Sequence, residues 1–316
     1  MTSGKLINRQ KYYLMRTRKI SLTIGIPAYN EERNIGYLLD DLKSQSLGNI
    51  VIDAIIVVSD GSTDRTKLVI QRSNYKLVKL IENSTRVGLA LAQNQIIENC
   101  KSEVLVLLNA DIRITDRHFL SRLCRPIIEG RCALTACRFM PITPNNFLEK
   151  VLFVSATLKQ KISEEWNDGD NLLSCRGTAR AFSRVLSKQL VFKSSFAEDA
   201  YSYIFCKSRN LNYCYVKDTF ILYKLPDTLH DHLRQSLRFH QSQQVLKKYF
   251  KPTTLASHYR LPFVITVSAL LSFLLRNPIH VLIYLLILLF IKIKSGQKVR
   301  TDHFWETSAS SKLPNI

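Results

Sequence analysis

The most constraining feature of this chain is a rhythm between residues 21 and 130. Short apolar runs at Leu22–Pro27, Ala54–Val58, Lys76–Ile81 and Val104–Leu108 alternate with segments of helical spacing. Glu31–Ser44 places Ile35, Leu38, Leu39 and Leu42 on one helical face, Ser62 or Thr63 can cap a helix reaching Gln71, and Leu89–Cys100 is helical again. Parallel strands need crossover connections, and crossover helices cover the sheet. The rhythm therefore predicts a mostly parallel α/β sheet flanked by helices on both faces. Ligands of such sheets bind beyond the carboxyl ends of the strands. Three runs end there in polar side chains: Asn30-Glu31, Ser59-Asp60-Gly61 and Asn109-Ala110-Asp111.

Residues 131–225 are less regular. Strands are predicted near Cys132–Met140, Leu172–Cys175, Thr178–Phe182 and Tyr213–Val216, with a helix over Ala200–Ser208. Residues 228–250 read as helical and basic. Leu261–Ile293 is apolar, broken by Arg276-Asn277-Pro278 into halves of about 15 residues, whereas one membrane span needs about 20. The break predicts a C-terminal membrane helix hairpin turning at Asn277-Pro278, with one long tilted span as the alternative. The organisation expected is a basic segment over 1–20, an α/β domain over 21–225, a basic helical segment over 226–260, transmembrane segments over 261–293 and a cytosolic tail over 294–316.

Charge narrows the partners. Lys and Arg number 45 against 25 Asp and Glu, a net +20, so the chain suits an anionic partner. Residues 1–20 hold six basic residues and no acidic one. Lys247, Lys248, Lys251 and Arg260 precede the apolar stretch, and Lys292, Lys294, Lys298 and Arg300 end it. Basic residues flanking an apolar stretch fit anionic membrane lipid, not a nucleic acid groove. Both flanks are basic, so both ends are expected in the cytosol, with the α/β domain on the cytoplasmic face of a cell membrane. Seven cysteines without a Cys-x-x-Cys pair favour a reducing compartment. The N-terminus lacks the apolar core of a signal peptide.

Four constellations carry chemistry. Pro27-Ala28-Tyr29-Asn30-Glu31 ends a strand and can set an aromatic ring and polar groups at a nucleotide. In Ser59-Asp60-Gly61-Ser62-Thr63-Asp64-Arg65-Thr66 a strand-end carboxylate can accept hydrogen bonds from a base or ribose, although Asp64 and Thr66 also suit a plain helix N-terminus. Asp111 can hold a hard divalent ion, because magnesium-type ions bind through one or two carboxylates plus substrate phosphates. Glu198-Asp199 at a helix start suits dipole pairing, or a general base that deprotonates an acceptor hydroxyl.

Taken in order with Arg86-Val87-Gly88-Leu89-Ala90, these segments resemble the family 2 inverting glycosyltransferases of GT-A fold over about residues 20–240. Arg176-Gly177-Thr178-Ala179-Arg180-Ala181-Phe182 looks like that family's acceptor-side segment. Arg234-Gln235-Ser236-Leu237-Arg238-Phe239 resembles the Gln-x-x-Arg-Trp motif of membrane-bound polysaccharide synthases. The resemblance implies that Pro27, Tyr29, Glu31 and Asp60 contact the nucleoside and that Arg86 approaches the diphosphate. Asp111 would ligate Mn2+ or Mg2+ with Asn109 beside it. Asp199 would be the base with Glu198 its neighbour, and Gln235, Arg238 and Phe239 would close over donor or acceptor. The donor implied is a nucleotide-diphosphate sugar, UDP-linked by family default, and the acceptor a glycan or lipid-linked sugar. Three departures stand out: Ser59 where the family often has Asp, Asn109 where it has the first Asp of Asp-x-Asp, and Phe239 in place of Trp.

Rival classes remain in view. A nucleotidyltransferase is expected to carry a Gly-rich, Arg-containing loop after its first strand, and Ala28-Tyr29-Asn30-Glu31 occupies that place. A non-catalytic basic membrane-anchored binding protein has no need of Asp60, Asp111 and Asp199 together. Within glycosyl transfer, a polyprenyl-phosphate sugar synthase is the alternative to a polysaccharide or glycolipid enzyme.

Overall fold

In the computed structural model, residues 18–193 and 197–295 are described, without the side chains of 238–242, 294 and 295. Most of the basic segment at 1–20, Phe196 and the tail beyond 295 lie outside the described residues.

The first half follows the predicted rhythm. It runs β1 (Ile20–Ala28), α1 (Ile35–Lys43), β2 (Ile50–Asp60), α2 (Thr66–Arg72), β3 (Val78–Asn83), α3 (Leu89–Asn99), β4 (Val104–Leu108), β5 (Ile112–Arg113) and α4 (Phe119–Ile128). Strands β3, β2, β1 and β4 pair side by side in parallel. Alternation sorts their side chains onto two cores. Leu22, Ile24, Ile26, Ile55, Val57, Val104 and Val106 meet α1 and α4 on one face. Ile56, Val58, Leu105 and Leu107 meet α3 on the other. Gly25 is what lets α3 approach β1: a Cβ there would sit 2.2 Å from the Ile96 Cγ2. The α2 helix starts at Thr66 with Arg65 as its N-cap, not on Ser62 or Thr63, and the Asp64 carboxylate just before it accepts from the Thr66 N–H at 2.9 Å.

The second half contains β6 (Leu134–Pro141), α5 (Phe147–Glu165), β7 (Ala179–Ser183), α6 (Arg184–Ser187), α7 (Glu198–Ser208) and β8 (Tyr213–Tyr223). The sheet order is β3-β2-β1-β4-β7-β6-β8-β5. Here β7 is antiparallel to β4 and β6, and β5 is antiparallel to β8, so four of the seven pairings among the described residues are parallel. The strand predicted at Leu172–Cys175 is instead a turn. Asn171 organises it, its Oδ1 accepting from the Leu173 and Ser174 N–H groups. The 19-residue α5 is absent from the sequence prediction. Asn146 caps it, accepting from the Glu149 N–H at 2.9 Å, and its buried face, where Glu149, Ser155 and Ser163 interrupt the apolar residues, packs on two partners.

Those partners are the tail. After α8 (Leu229–Leu246) and α9 (Pro252–Tyr259) come α10 (Phe263–Arg276) and α11 (Pro278–Ser295), separated at Asn277 where the break was expected. On α10, Ala269 packs on Leu158 and Ile162 of α5. On α11, Tyr284 packs on Val151, Leu152 and Ala156. The outward side stays apolar and exposed, with Phe263 at 79% and Leu275 at 85%. The stretch Pro252–Arg276 is long and apolar enough to cross a membrane by length and composition, but Arg260-Leu261-Pro262 interrupts its helix. The uninterrupted α10 is 14 residues, about 21 Å.

Candidate functional site

The polar ends of β1 and β2 are laced together. The Asn30 N–H donates to the Ser62 hydroxyl, the Thr63 N–H to the Asn30 Oδ1 at 2.8 Å, and the Glu31 N–H to the Thr66 hydroxyl at 2.7 Å. Asn30 takes a positive φ of 55° to allow this. The buried Glu31 carboxylate accepts from the Asn34 amide at 2.6 Å. Asp60, 4% exposed, accepts from the Val87 N–H at 2.7 Å and the Gly88 N–H at 2.8 Å. Both carboxylates are thus engaged inside the protein, where they fix the walls of a crevice. Gly61 shapes the same wall: with φ 67°, a Cβ on it would lie 2.5 Å from the Arg86 nitrogen. The fixed loop lays the Arg86 guanidinium 3.9 Å over the Tyr29 ring, at the end of β1 where Pro27 and Tyr29 were expected to meet a nucleoside.

The second cluster lies across the switch from parallel to antiparallel pairing. Asn109 leaves β4 and its N–H donates to the Thr178 carbonyl at 2.9 Å. Asp111, half-buried, immediately precedes β5. Neighbouring Gly177 carries no side chain because Glu198 is there: a Cβ would sit 2.5 Å from the Glu198 Oε1 and 3.7 Å from the Asp199 Cβ. Asn109-Ala110-Asp111, Gly177-Thr178 and Glu198-Asp199 therefore converge, although about 90 residues separate the first from the last.

Ala197 in the left-handed region, φ 68°, turns the chain into α7 so that Glu198 and Asp199 fall in its first turn. The Asp199 Oδ1 accepts from the Ala200 N–H at 2.7 Å, and its Oδ2 makes no hydrogen bond among the described residues. A half-buried carboxylate with one uncommitted oxygen at the mouth of a crevice can accept a proton. Beneath it is Arg180, fully buried on β7, whose Nη1 donates to the Glu198 carbonyl and the Ser202 hydroxyl, both at 2.9 Å. Its Nε and Nη2 make no hydrogen bond among the described residues. Arg180 and Arg176 belong to the segment read as acceptor-side, but neither was singled out. No sequence periodicity marks a buried guanidinium that supports a helix start.

Among the described residues, no three His, Cys, Asp or Glu side chains converge as a ready metal site. One carboxylate at Asp111 with the Asn109 amide nearby is a donor set that fits a magnesium-type ion completed by substrate phosphates, and does not fit a tightly held structural ion. Gln235 is half-buried on α8. Arg238 and Phe239 share that helix, and their side chains lie outside the described residues. All seven cysteines are unpaired thiols.

Comparison with known proteins places the architecture. The amylovoran biosynthesis glycosyltransferase AmsB of Erwinia amylovora is 26% identical over 185 residues, 57% of this chain and 60% of that protein. A 4,4'-diaponeurosporenoate glycosyltransferase of Staphylococcus aureus is 35% identical over 88 residues, 27% of this chain and 22% of the relative. The chain thus spans three fifths or less of the length of these curated relatives. Among solved structures, the Pyrobaculum calidifontis mannosyltransferase PcManGT, in complex with GDP-Man and Mn2+, superposes with a TM-score of 0.59 at 18% identity, covering 84% of this chain and 80% of that one. Glucosyl-3-phosphoglycerate synthase from Mycobacterium tuberculosis, in complex with Mn2+, UDP and glucosyl-3-phosphoglycerate, gives 0.52 at 18% identity, covering 72% and 79%. At these identities the structures establish a shared GT-A-like fold. The model of glycosyl transferase family 2 matches residues 23–190, more than half of the chain, and the chain belongs to that family.

Proposed function

We propose that this protein transfers a sugar from a nucleotide-diphosphate sugar, UDP-linked, to a glycan or lipid-linked acceptor with inversion, in cell-surface polysaccharide or glycolipid synthesis. The observation that carries this reading is the meeting of the Asn109-Ala110-Asp111 segment with Gly177-Thr178 and Glu198-Asp199, at the same sheet edge where Asp60 holds the Val87-Gly88 loop. The relatives named as amylovoran biosynthesis and 4,4'-diaponeurosporenoate glycosyltransferases, and neighbours in complex with GDP-Man or UDP, support it.

In this reading the nucleoside lies in the crevice between Tyr29 and Asp60, with Pro27 and Glu31 shaping its floor. Arg86, held by its loop, faces the diphosphate. Asp111, with Asn109 beside it, would hold Mn2+ or Mg2+, which when bound offsets the charge that grows on the leaving nucleotide. Asp199 takes the proton of the acceptor hydroxyl as that oxygen attacks the anomeric carbon from the face opposite the nucleotide. One displacement inverts the centre. Glu198 and Arg180 hold the first turn of α7 so that Asp199 points outward. Gln235, Arg238 and Phe239 close the site from α8. The exposed apolar side of α10 and α11 sits in a membrane, the basic flanks meet anionic lipid, and the catalytic domain faces the cytoplasm.

The test is donor hydrolysis and binding by detergent-purified protein, over a panel of nucleotide sugars with Mn2+, Mg2+ or chelator. One donor should turn over in a metal-dependent way, and Asp111→Ala should lose that turnover by about a hundredfold or more. No metal-dependent binding of any nucleotide sugar would sink the transferase reading.

A further inference from the structure

A run of side-chain contacts leads from the apolar tail to the first turn of α7. Tyr284 of α11 is buried with Val151, Leu152 and Ala156 of α5 and with Leu225, and Tyr223 at the end of β8 packs on the same cluster. The Tyr223 ring stacks on Phe139 of β6, centroids 4.9 Å apart. Over Phe139 lies the guanidinium of Arg176, its Cζ 3.6 Å from the ring centroid. The next residue is Gly177, where a Cβ would sit 3.7 Å from the Asp199 Cβ.

The last link in this run is electrostatic. Burial pushes the Arg176 pKa down, and Tyr223, Asp199, Tyr215 and Tyr284 lie near enough to push it back. Of these four only the aspartate carries charge at neutral pH, because phenols ionise at about pH 10. Asp199 is thus the group among them that balances the buried guanidinium, and with water excluded around Arg176 the attraction between the two is strengthened. Arg180 has a different task, since its Nη1 is engaged by the Glu198 carbonyl and the Ser202 hydroxyl.

The other links are packing. The Arg176 Nε makes no hydrogen bond among the described residues, so the stack on Phe139 is the contact that sets the plane of the guanidinium. Phe139 and Tyr223 lie beyond a register shift between Cys137 and Arg138 in the β6–β8 pairing. A bulge interrupts the ladder and re-aims the side chains that follow it. This end of the sheet therefore relies on what packs against it, and the tail does so through Tyr284.

We infer that Arg176 is a positioning residue for Asp199, and that the seated tail, through Tyr284, Tyr223 and Phe139, holds Arg176 in place. The tail is then a working part of the catalytic centre as well as an anchor. This rests on the transferase reading, which supplies the role of Asp199.

The test is steady-state donor turnover by the full chain in detergent. Arg176→Gln should lower kcat by about tenfold to a hundredfold while the donor KM moves less than about threefold. Arg176→Lys, which keeps the charge without the planar fork, should recover part of that loss. Tyr284→Ala removes the ring that backs Tyr223 and should lower kcat by about five- to tenfold, whereas Tyr284→Phe, which keeps the ring, should cost less. The losses should not add. Arg176→Gln in an Asp199→Asn background, and Tyr284→Ala in an Arg176→Gln background, should each cost less than about twofold more. A rise in donor KM in place of the fall in kcat assigns Arg176 to the donor and overturns the inference. So does a Lys variant no better than the Gln variant, or additivity with Asp199→Asn. Additivity between Arg176 and Tyr284 overturns the part played by the tail. Should Arg176→Gln not fold, Arg176→Lys takes its place in both cycles. Wild-type protein without metal-dependent donor turnover overturns the transferase reading and this inference with it. Wild-type turnover that the Arg176 variants leave unchanged overturns this inference alone.

Discussion

The two halves of the sheet treat their polar residues in opposite ways. In the half built by β1 to β4, nearly every polar side chain at the strand ends is used on a neighbouring loop: Asn30 on Thr63, Glu31 on Asn34, Asp60 on Val87 and Gly88. In the half built by β6 to β8 and the tail, more buried polar atoms lack a hydrogen-bond partner among the described residues: Gln160 Oε1, Arg176 Nε, Arg180 Nε and Nη2, and the Tyr284 hydroxyl, where α3 of the first half has Gln93 Oε1. The first arrangement preorganises a crevice before anything binds. The second holds unmet hydrogen-bonding capacity under the tail. A strand edge held by backbone hydrogen bonds stays in place whether or not anything is bound, whereas enclosed polar atoms without partners leave hydrogen-bonding capacity unused.

Three experiments break or sharpen that contrast. The largest effect is expected at Asp199, where the halves meet. Asp199→Asn should lower transfer by about 10²–10⁴-fold while donor affinity is retained, read by steady-state kinetics beside donor titration. Loss of donor binding in that variant would move Asp199 out of the base role. Next is the stability of the crevice. Asp60→Ala strands the Val87 and Gly88 N–H groups and should cost roughly 4 kcal/mol in unfolding free energy, about 2 for each buried group. Donor affinity should fall with it as the Arg86 loop loosens. An unchanged unfolding curve would show that the loop does not depend on Asp60.

The smallest effect concerns His232, buried on α8 with its ring 6.2 Å from that of Tyr284 and 3.4 Å from the Ser236 hydroxyl. Burial, with the Lys159 charge adding to it, pushes its pKa down from 6.5 to about 4. The unfolded chain therefore takes the proton first. Stability is full above about pH 6.5 and falls as pH drops toward about 4, by about 3 kcal/mol across the window. His232→Phe should flatten that part of the difference between pH 7.5 and pH 4.5 in denaturant titrations. An unaltered slope would place the sensitivity in carboxylates instead.

The resemblance among ordered motifs pointed to the crevice because its residues are local. Tyr29, Asp60, Arg86 and Asp111 each follow a strand or its return loop, and strand ends of a parallel sheet share one edge by topology. The α5 helix escaped notice because its buried stripe includes Glu149, Ser155 and Ser163 while Phe147 is exposed, so apolar residues alone do not trace the buried face. The Leu172–Cys175 turn was misread because a short apolar run carries no period, and the side chain of Asn171 decided it. Arg176 and Arg180 stood inside a quoted motif, yet their burial depends on Phe139, Glu198 and Ser202, which are distant in sequence.

By itself the sequence determined the alternation of strands and crossover helices, the edge at which the polar groups gather and the break at Asn277, because periodicity and turn residues act over a few positions. Only the tertiary structure decided that β7 inserts antiparallel between β4 and β6, that Gly177 clears room for Glu198 beside Asp199, and that the apolar tail leans on α5 to enclose Tyr284. Those outcomes depend on which surfaces meet, and a meeting of distant surfaces leaves no mark in any local pattern of residues.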